Sequence, residues 1–187
     1  MTRPRSIPSR LESDRLILRV PTDADALALN RAVRASLAQL RPWMPWAQTA
    51  PTLAASRQRC REAAKKFREG TDLMLLLFTK DGGELIGANG LTRIDWSVPR
   101  LEIGYWIATR HAGLGYATEA TRVVADFAFK KLKAARVEIH CDHRNKRSRR
   151  VAERAGFPLE ATLRHHRRDV HGRLTDMCIY ARTVSCK

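Results

Sequence analysis

The 187-residue chain is short of cysteine: only Cys60, Cys141, Cys178 and Cys186, at wide, unrelated spacings and with no C-x-x-C pair. That pattern excludes a disulfide framework and a zinc site, and the four read as reduced thiols. His140-Cys141-Asp142-His143 offers ligand types, but neighbouring strand residues point to opposite faces and cannot converge on one ion, so no metal is expected. Long apolar runs are lacking too. The longest, Leu73 to Phe78, is far too short to cross a bilayer, and no apolar stretch follows the basic Met1-Thr2-Arg3-Pro4-Arg5. The reading is a soluble, cytoplasmic protein with no membrane partner. Acidic residues are scarce, 19 against 35 Lys and Arg, for a formal charge of +16 that attracts anions. Ten Lys and Arg against four Asp and Glu fall within residues 141 to 173. Aromatics make up only 6% and none interrupts Arg144-Asn145-Lys146-Arg147-Ser148-Arg149-Arg150. Without stacking residues this run is a weak RNA site, so an RNA-binding module is a rival reading and no more.

What is present fits one domain over residues 1–187, large enough to bury roughly 70% of its unfolded surface, with residues 1–11 a flexible basic N-terminus. Arg15 to Val20 alternates as a strand, and Thr22-x-x-Asp25 is a capping-box pattern opening a helix through Leu40. Pro42, Pro45 and Pro51, with Trp43 and Trp46, make a loop. Thr52 then caps a helix that Gly70 ends. Leu73 to Thr79 and Glu84 to Ile94 flank Asp81-Gly82-Gly83, a hairpin signal, and Leu101 to Ala108 continues the meander. Ala117 to Leu132 places Ala120, Val124, Phe127 and Ala128 on one helical face. A strand over Arg136 to Cys141, a short helix over Ser148 to Ala155 stopped by Gly156, and strands at Leu159 to Arg164 and Leu174 to Arg182 complete the string. The order is β-α-α-β-β-β-α-β-α-β-β, an α/β (α+β) arrangement with about seven strands in a mixed, mostly antiparallel sheet and about four helices on its two faces.

Arg110-His111-Ala112-Gly113-Leu114-Gly115 lies between a strand and a helix. Glycines there admit close approach to the backbone, and a helix N-terminus favours phosphate by its free amides and dipole. No G-x-x-x-x-G-K-[ST] occurs, which removes a P-loop. A dinucleotide loop wants a third glycine where Thr118 stands and an acid about 20 residues on, whereas Asp142 lies farther away. The remaining pattern is Q/R-x-x-G-x-G/A. With Leu101 to Ala108 and Gly113 to Ala120, it resembles the pyrophosphate loop of the GCN5-related N-acetyltransferases, in particular the RimJ/RimL type that acts on ribosomal proteins. Asn145 to Ser148 followed by Ala155-Gly156-Phe157 is similar to that family's N-x-x-S helix ending in G-F. Trp43 and Trp46 resemble its aromatic loop. The likeness covers roughly residues 12 to 183.

The resemblance implies acetyl-CoA as co-substrate and a V-shaped splay between the parallel strands 101–108 and 136–141, where pantetheine lies like an added strand. Tyr105, Trp106 and Ile107 would hold pantetheine. Arg110, Gly113, Leu114, Gly115, Tyr116, Ala117 and Thr118 would hold the pyrophosphate, and Asn145 and Ser148 would also contact the coenzyme. Its anionic phosphates suit the basic charge of residues 141 to 173. Direct attack needs a neutral amine, a proton acceptor and an acid for the departing thiolate. Glu102, through water, is the candidate base and Ser148 the candidate acid, because Ala152 stands where many members carry a tyrosine. Trp43, Trp46 and Asp169 are candidate acceptor contacts. Cys141 as an acetylated nucleophile is disfavoured, since His140 points to the other face of the strand. The acceptor implied is a protein N-terminus, or else a small amine such as a polyamine, aminoglycoside or amino acid. The basic surface allows proximity to the ribosome or RNA, and a homodimer is a family expectation.

Overall fold

The computed structural model describes residues 7–184. It contains β1 (Arg10–Glu12), β2 (Leu16–Arg19), α1 (Ala26–Leu40), α2 (Leu53–Glu69), β3 (Leu73–Thr79), β4 (Leu85–Asp95), β5 (Arg100–Ile107), α3 (Tyr116–Lys130), β6 (Arg136–Asp142), α4 (Lys146–Arg154), β7 (Leu159–Arg168) and β8 (Leu174–Thr183). The eight strands form one sheet in the order β1-β2-β3-β4-β5-β6-β8-β7. Every neighbouring pair is antiparallel except β5 and β6. No helix among the described residues is long and apolar enough to cross a membrane.

The strand count is eight rather than seven because β1 pairs Arg10 to Glu12 against Arg19 to Ile17, its first two residues falling in the stretch 1–11 expected to be a flexible terminus, of which residues 1–6 lie outside the described residues. Arg10 and Glu12 are exposed, so no apolar alternation marks the strand. The Thr22/Asp25 capping box is present, but it opens a 3-10 turn over Asp23–Asp25, after which α1 begins. In α2 the Thr52 hydroxyl accepts from the Ala55 amide at 3.1 Å. Gly70 closes that helix at φ 69°, a conformation glycine adopts without steric cost.

Alternate residues of β3 face two different cores, which is why its sequence is continuously apolar. Leu73, Leu75 and Leu77 pack with Ala120, Val124 and Phe127 of α3 and with Leu101 and Ile103 of β5. Leu76 and Phe78 pack with Leu29 and Val33 of α1 and Cys60 of α2. The sheet is thus covered on both faces, and the same alternation sorts β5 and β6. Leu101, Ile103, Val137, Ile139 and Cys141 belong to the α3 face, while Trp106 joins the α1 face.

One feature of the ladder positions the site. β5 and β6 pair only at Arg100↔Arg136, Leu101↔Val137 and Glu102↔Glu138, although β5 runs on to Ile107 and β6 to Asp142. Past Glu102 the strands part, and half of the backbone amides and carbonyls on each facing edge lose their sheet partner.

Candidate active site

A cleft of about 620 Å³ opens at this parting. Glu102, Tyr105, Trp106, Asn145, Ser148, Trp43 and Trp46 all line it. Trp46, carried by the Pro-rich loop, meets Trp106 edge to face with ring centroids 6.1 Å apart, so the loop closes the α1 side of the opening.

The two faces of the sheet bring different chemistry to the gap. On the α3 face, the Tyr105 hydroxyl donates to the Ser148 carbonyl at 3.0 Å and lies 2.9 Å from Ser148 Oγ. Burial pushes the Tyr105 phenol well above its ordinary value, so it remains a proton donor. Cys141 sits on this face as well, its thiol pushed up to about 11 chiefly by burial, a poor setting for a thiolate nucleophile. On the other face, Glu102 Oε2 receives the Arg93 guanidinium at 3.1 Å and lies 3.3 Å from His140 Nδ1. His140 Nε2 meets Glu138 Oε2 at 2.7 Å. The sequence placed His140 opposite Cys141 but gave no sign that it reaches Glu102. The signal was available in principle: Glu102 and Glu138 stand side by side in the parallel ladder, and His140 is two residues further along one face of the strand.

The loop before α3 forms a second station. Gly113 and Gly115 lie at φ 86° and 83°, in the left-handed region, and α3 opens with no side-chain cap. The amides of Tyr116, Ala117 and Thr118 fall in the first turn, where helix geometry supplies no carbonyl partner. Glu119, the acidic residue of this turn, accepts from Ser13 Oγ at 2.6 Å and pairs with Arg15 at 2.6 Å. Arg15 also donates to the Leu114 carbonyl at 3.2 Å and stacks on Tyr116, its guanidinium 4.5 Å from the ring centre. Arg110, expected at the pyrophosphate, is ion-paired with Glu84 of the β3–β4 turn. Arg15 adds a second cation to the loop, one that no local motif marks.

Two further residues carry structural duties. Asn145 Oδ1 accepts from the Ser148 amide at 3.1 Å, capping α4. Asp169, outside the residues that line the cleft, accepts from the amides of His171 and Arg173 in the β7–β8 turn and pairs with Arg144 at 3.1 Å. Arg144 in turn grips Asp142 through Oδ1 and Oδ2 at 2.9 and 2.7 Å. Within the basic run, Arg147 reaches Gln39 and Arg149 reaches Tyr180, so three of its cations are engaged within the fold.

A two-faced mixed sheet whose single parallel pair splays beside an uncapped, glycine-led helix defines an acyltransferase-type fold. Residues 15–158 match the Acetyltransferase (GNAT) domain, and the chain belongs to that family. It is 35% identical over 114 residues to the probable N-acetyltransferase YjcK of Bacillus subtilis, a stretch that spans 60% of this chain and 63% of that protein. It is 28% identical over 139 residues to the ribosomal-protein-serine acetyltransferase of Escherichia coli, covering 74% and 76% of the two chains. Among solved structures, the microcin C7 self-immunity acetyltransferase MccE, in complex with acetyl-CoA and AMP, superposes with a TM-score of 0.87 at 23% identity over 95% of this chain and 98% of that one. RimL, a ribosomal L7/L12 α-N-protein acetyltransferase in complex with coenzyme A, gives 0.85 at 24% identity over 95% and 97%. Both likenesses are of fold.

Proposed function

We propose that this chain transfers the acetyl group of acetyl-CoA by direct attack to an amine, the α-amine of a protein N-terminus. The observation that carries this reading is the early end of the β5–β6 ladder, which leaves two strand edges open beside the free amides of α3. Those edges fit pantetheine, a chain of amides that pairs as a strand does, and the first turn of α3 fits a diphosphate. An ideal Cβ at Gly113 meets nothing within 4 Å, so this side of the loop is open to a ligand. Bound there, acetyl-CoA supplies the activated acyl group.

The chain's own groups divide the remaining work. Backbone amides of Tyr105 to Ile107 on the free edge of β5 orient the coenzyme and donate to the carbonyl that gains negative charge. Glu102 accepts the amine's proton, through water, from the α1 face. Ser148, held by the Asn145 cap and hydrogen-bonded to Tyr105, returns a proton to the departing sulfur from the α3 face. Trp43 and Trp46 wall the acceptor entrance.

An α-amine of pKa near 8 is roughly 10% neutral at pH 7, whereas a lysine at about 10.4 is under roughly 0.1% neutral, so a carboxylate base suits an N-terminus. The cleft is lined by carboxylates as well, Glu102 paired with Arg93 and Asp142 with Arg144, but Arg167 Nε is buried there without a hydrogen-bond partner, which favours acceptors with an acidic residue near the amine. The names of two relatives, a ribosomal-protein-serine acetyltransferase and RimL, agree with such a substrate. The test is thiol release from acetyl-CoA across a panel of acidic and basic peptides with Ser or Ala N-termini, together with polyamines, aminoglycosides and amino acids. Turnover is expected on acidic peptides. Turnover on small amines alone overturns the acceptor assignment, and none on any amine overturns the reaction.

A further inference from the structure

His140 stands in the cleft between two carboxylates. Its side chain is 17% exposed, against 15% for Glu102 and 12% for Glu138. Glu138 is held ionised: burial pushes its carboxyl up, but the hydrogen bonds from Arg136 and His140 outweigh that and bring it below the usual range. An ionised carboxylate can only accept, so the 2.7 Å contact fixes the hydrogen of the neutral ring on Nε2. In that neutral ring Nδ1 is a bare lone pair. It is buried, has no hydrogen-bond partner, and lies 3.3 Å from Glu102 Oε2. A buried acceptor without a donor is destabilising, and a site retains one where a proton is to arrive.

We propose that His140, backed by Glu138, is the proton-relay partner of Glu102: the proton that Glu102 removes from the acceptor amine moves on to His140 Nδ1. This rests on the acetyl-transfer reading and on Glu102 as its base. As the C–N bond forms and the C–S bond breaks, the amine sheds one proton and the sulfur takes one. The first passes from nitrogen to Glu102 and then to Nδ1, giving an imidazolium between Glu102 and Glu138. The second comes from the Ser148–Tyr105 side. The imidazolium returns its proton to solvent before the next cycle. Arg93, on the same Glu102 oxygen, places a positive charge beside any proton that stays there, so the free nitrogen 3.3 Å away is where it settles. Other charged groups near the relay are Arg136 on β6, which pairs with Glu138 and with Glu160 of β7, and Arg59 of α2, Asp72, Asp142 of β6 and Arg167 of β7, which line the same cleft. His140 is a positioning and relay residue, since it acts on the substrate through Glu102.

Nitrogen-15 NMR of the full chain labelled at histidine tests the tautomer without any variant. The neutral ring of His140 is expected to carry its hydrogen on Nε2, and a hydrogen on Nδ1 overturns the proposal. With the acceptor that the wild type uses best, His140→Gln retains a donor for Glu138 but has no nitrogen that can take up a proton. It is expected to lower kcat about 30-fold, flatten the acid limb of the kcat/KM pH profile, and leave acetyl-CoA affinity within twofold. Glu138→Gln, which releases the tautomer, should move the same limb by less. An active wild type with a His140→Gln profile equal to its own overturns the relay alone. A Glu102→Gln variant as active as the wild type overturns the base assignment on which the relay stands.

Discussion

Helices α3 and α4 each follow one of the two parallel strands, yet their first turns are built differently. Before α3 the chain passes through Gly113 and Gly115, and no side chain caps the helix. Before α4, Asn145 caps the Ser148 amide, and Asp142, Arg144, Asp169 and Thr175 are tied together beneath it. An end that closes on itself spends its amides on stability, while an end left open keeps them for a ligand. The two ends therefore divide binding from rigidity. Changes in the loop before α3 should register as lost coenzyme affinity with the fold intact, and changes in the network beneath α4 as lost stability.

The largest effect is expected at the open end. Gly113 lies at φ 86°, where a β-branched residue is strongly strained, so Gly113→Val should turn the loop and misdirect its amides. Losing two charge-assisted hydrogen bonds of about 2 kcal/mol each corresponds to roughly a thousandfold weaker binding. Isothermal titration with acetyl-CoA reads this directly, with circular dichroism confirming the fold. Affinity within threefold of the wild type would show that the phosphates bind elsewhere.

At the closed end, Asp142 carries the larger share. Its side chain is 2% exposed, and although burial pushes its carboxyl up, hydrogen bonds from Arg144 and Thr175 hold it far below the ordinary value. Asp169 is brought down to about 2, the backbone amides of its turn and Arg144 outweighing its desolvation. Both folded values lie below the unfolded value near 4, so their stabilisation is complete above that pH and is lost as pH falls toward 2. Asp142→Asn should cost about 2 kcal/mol in urea unfolding at pH 7, less than a fully buried pair because Arg144 keeps contact with water. It should also flatten the loss of stability between pH 4 and 2, and leave acetyl-CoA affinity nearly unchanged. An unaltered acid profile would remove Asp142 from the closing network.

How far the sequence discloses each end follows from the kind of signal involved. The open end is local: a glycine pair and an apolar helical face lie within one stretch, and the loop and α3 are legible from it. So are β3 to β5, whose hairpin residues and apolar runs are contiguous. The closed end depends on residues far apart in the chain, such as Asp142 with Thr175 and Asp169, and only three-dimensional pairing reveals why Asp169 is occupied. Arg15, and the reach of His140 to Glu102, escape notice for the same reason. Arg15 reaches a loop about a hundred residues away, and His140 meets Glu102 only because β5 and β6 run in register. At Arg110 too a distant partner goes unseen, since a motif position names a residue type but not the Glu84 carboxylate that pairs with the side chain.

The smallest expected effect falls on the residue that belongs to both kinds of station. Asn145 caps α4 with its Oδ1 and lines the cleft, so under the proposed function its Nδ2 is the group that would donate to the coenzyme. Removing the cap in Asn145→Ala should cost about 1 kcal/mol of stability. Serine is as good a cap but offers no amide donor, so Asn145→Ser should restore stability and leave acetyl-CoA binding about threefold weaker, as in the alanine variant. A serine variant with wild-type affinity would reduce Asn145 to a cap and place it wholly on the closed side of the division. Weaker binding in both variants would mean that the closed end supplies one donor to the ligand after all, through a side chain rather than the backbone.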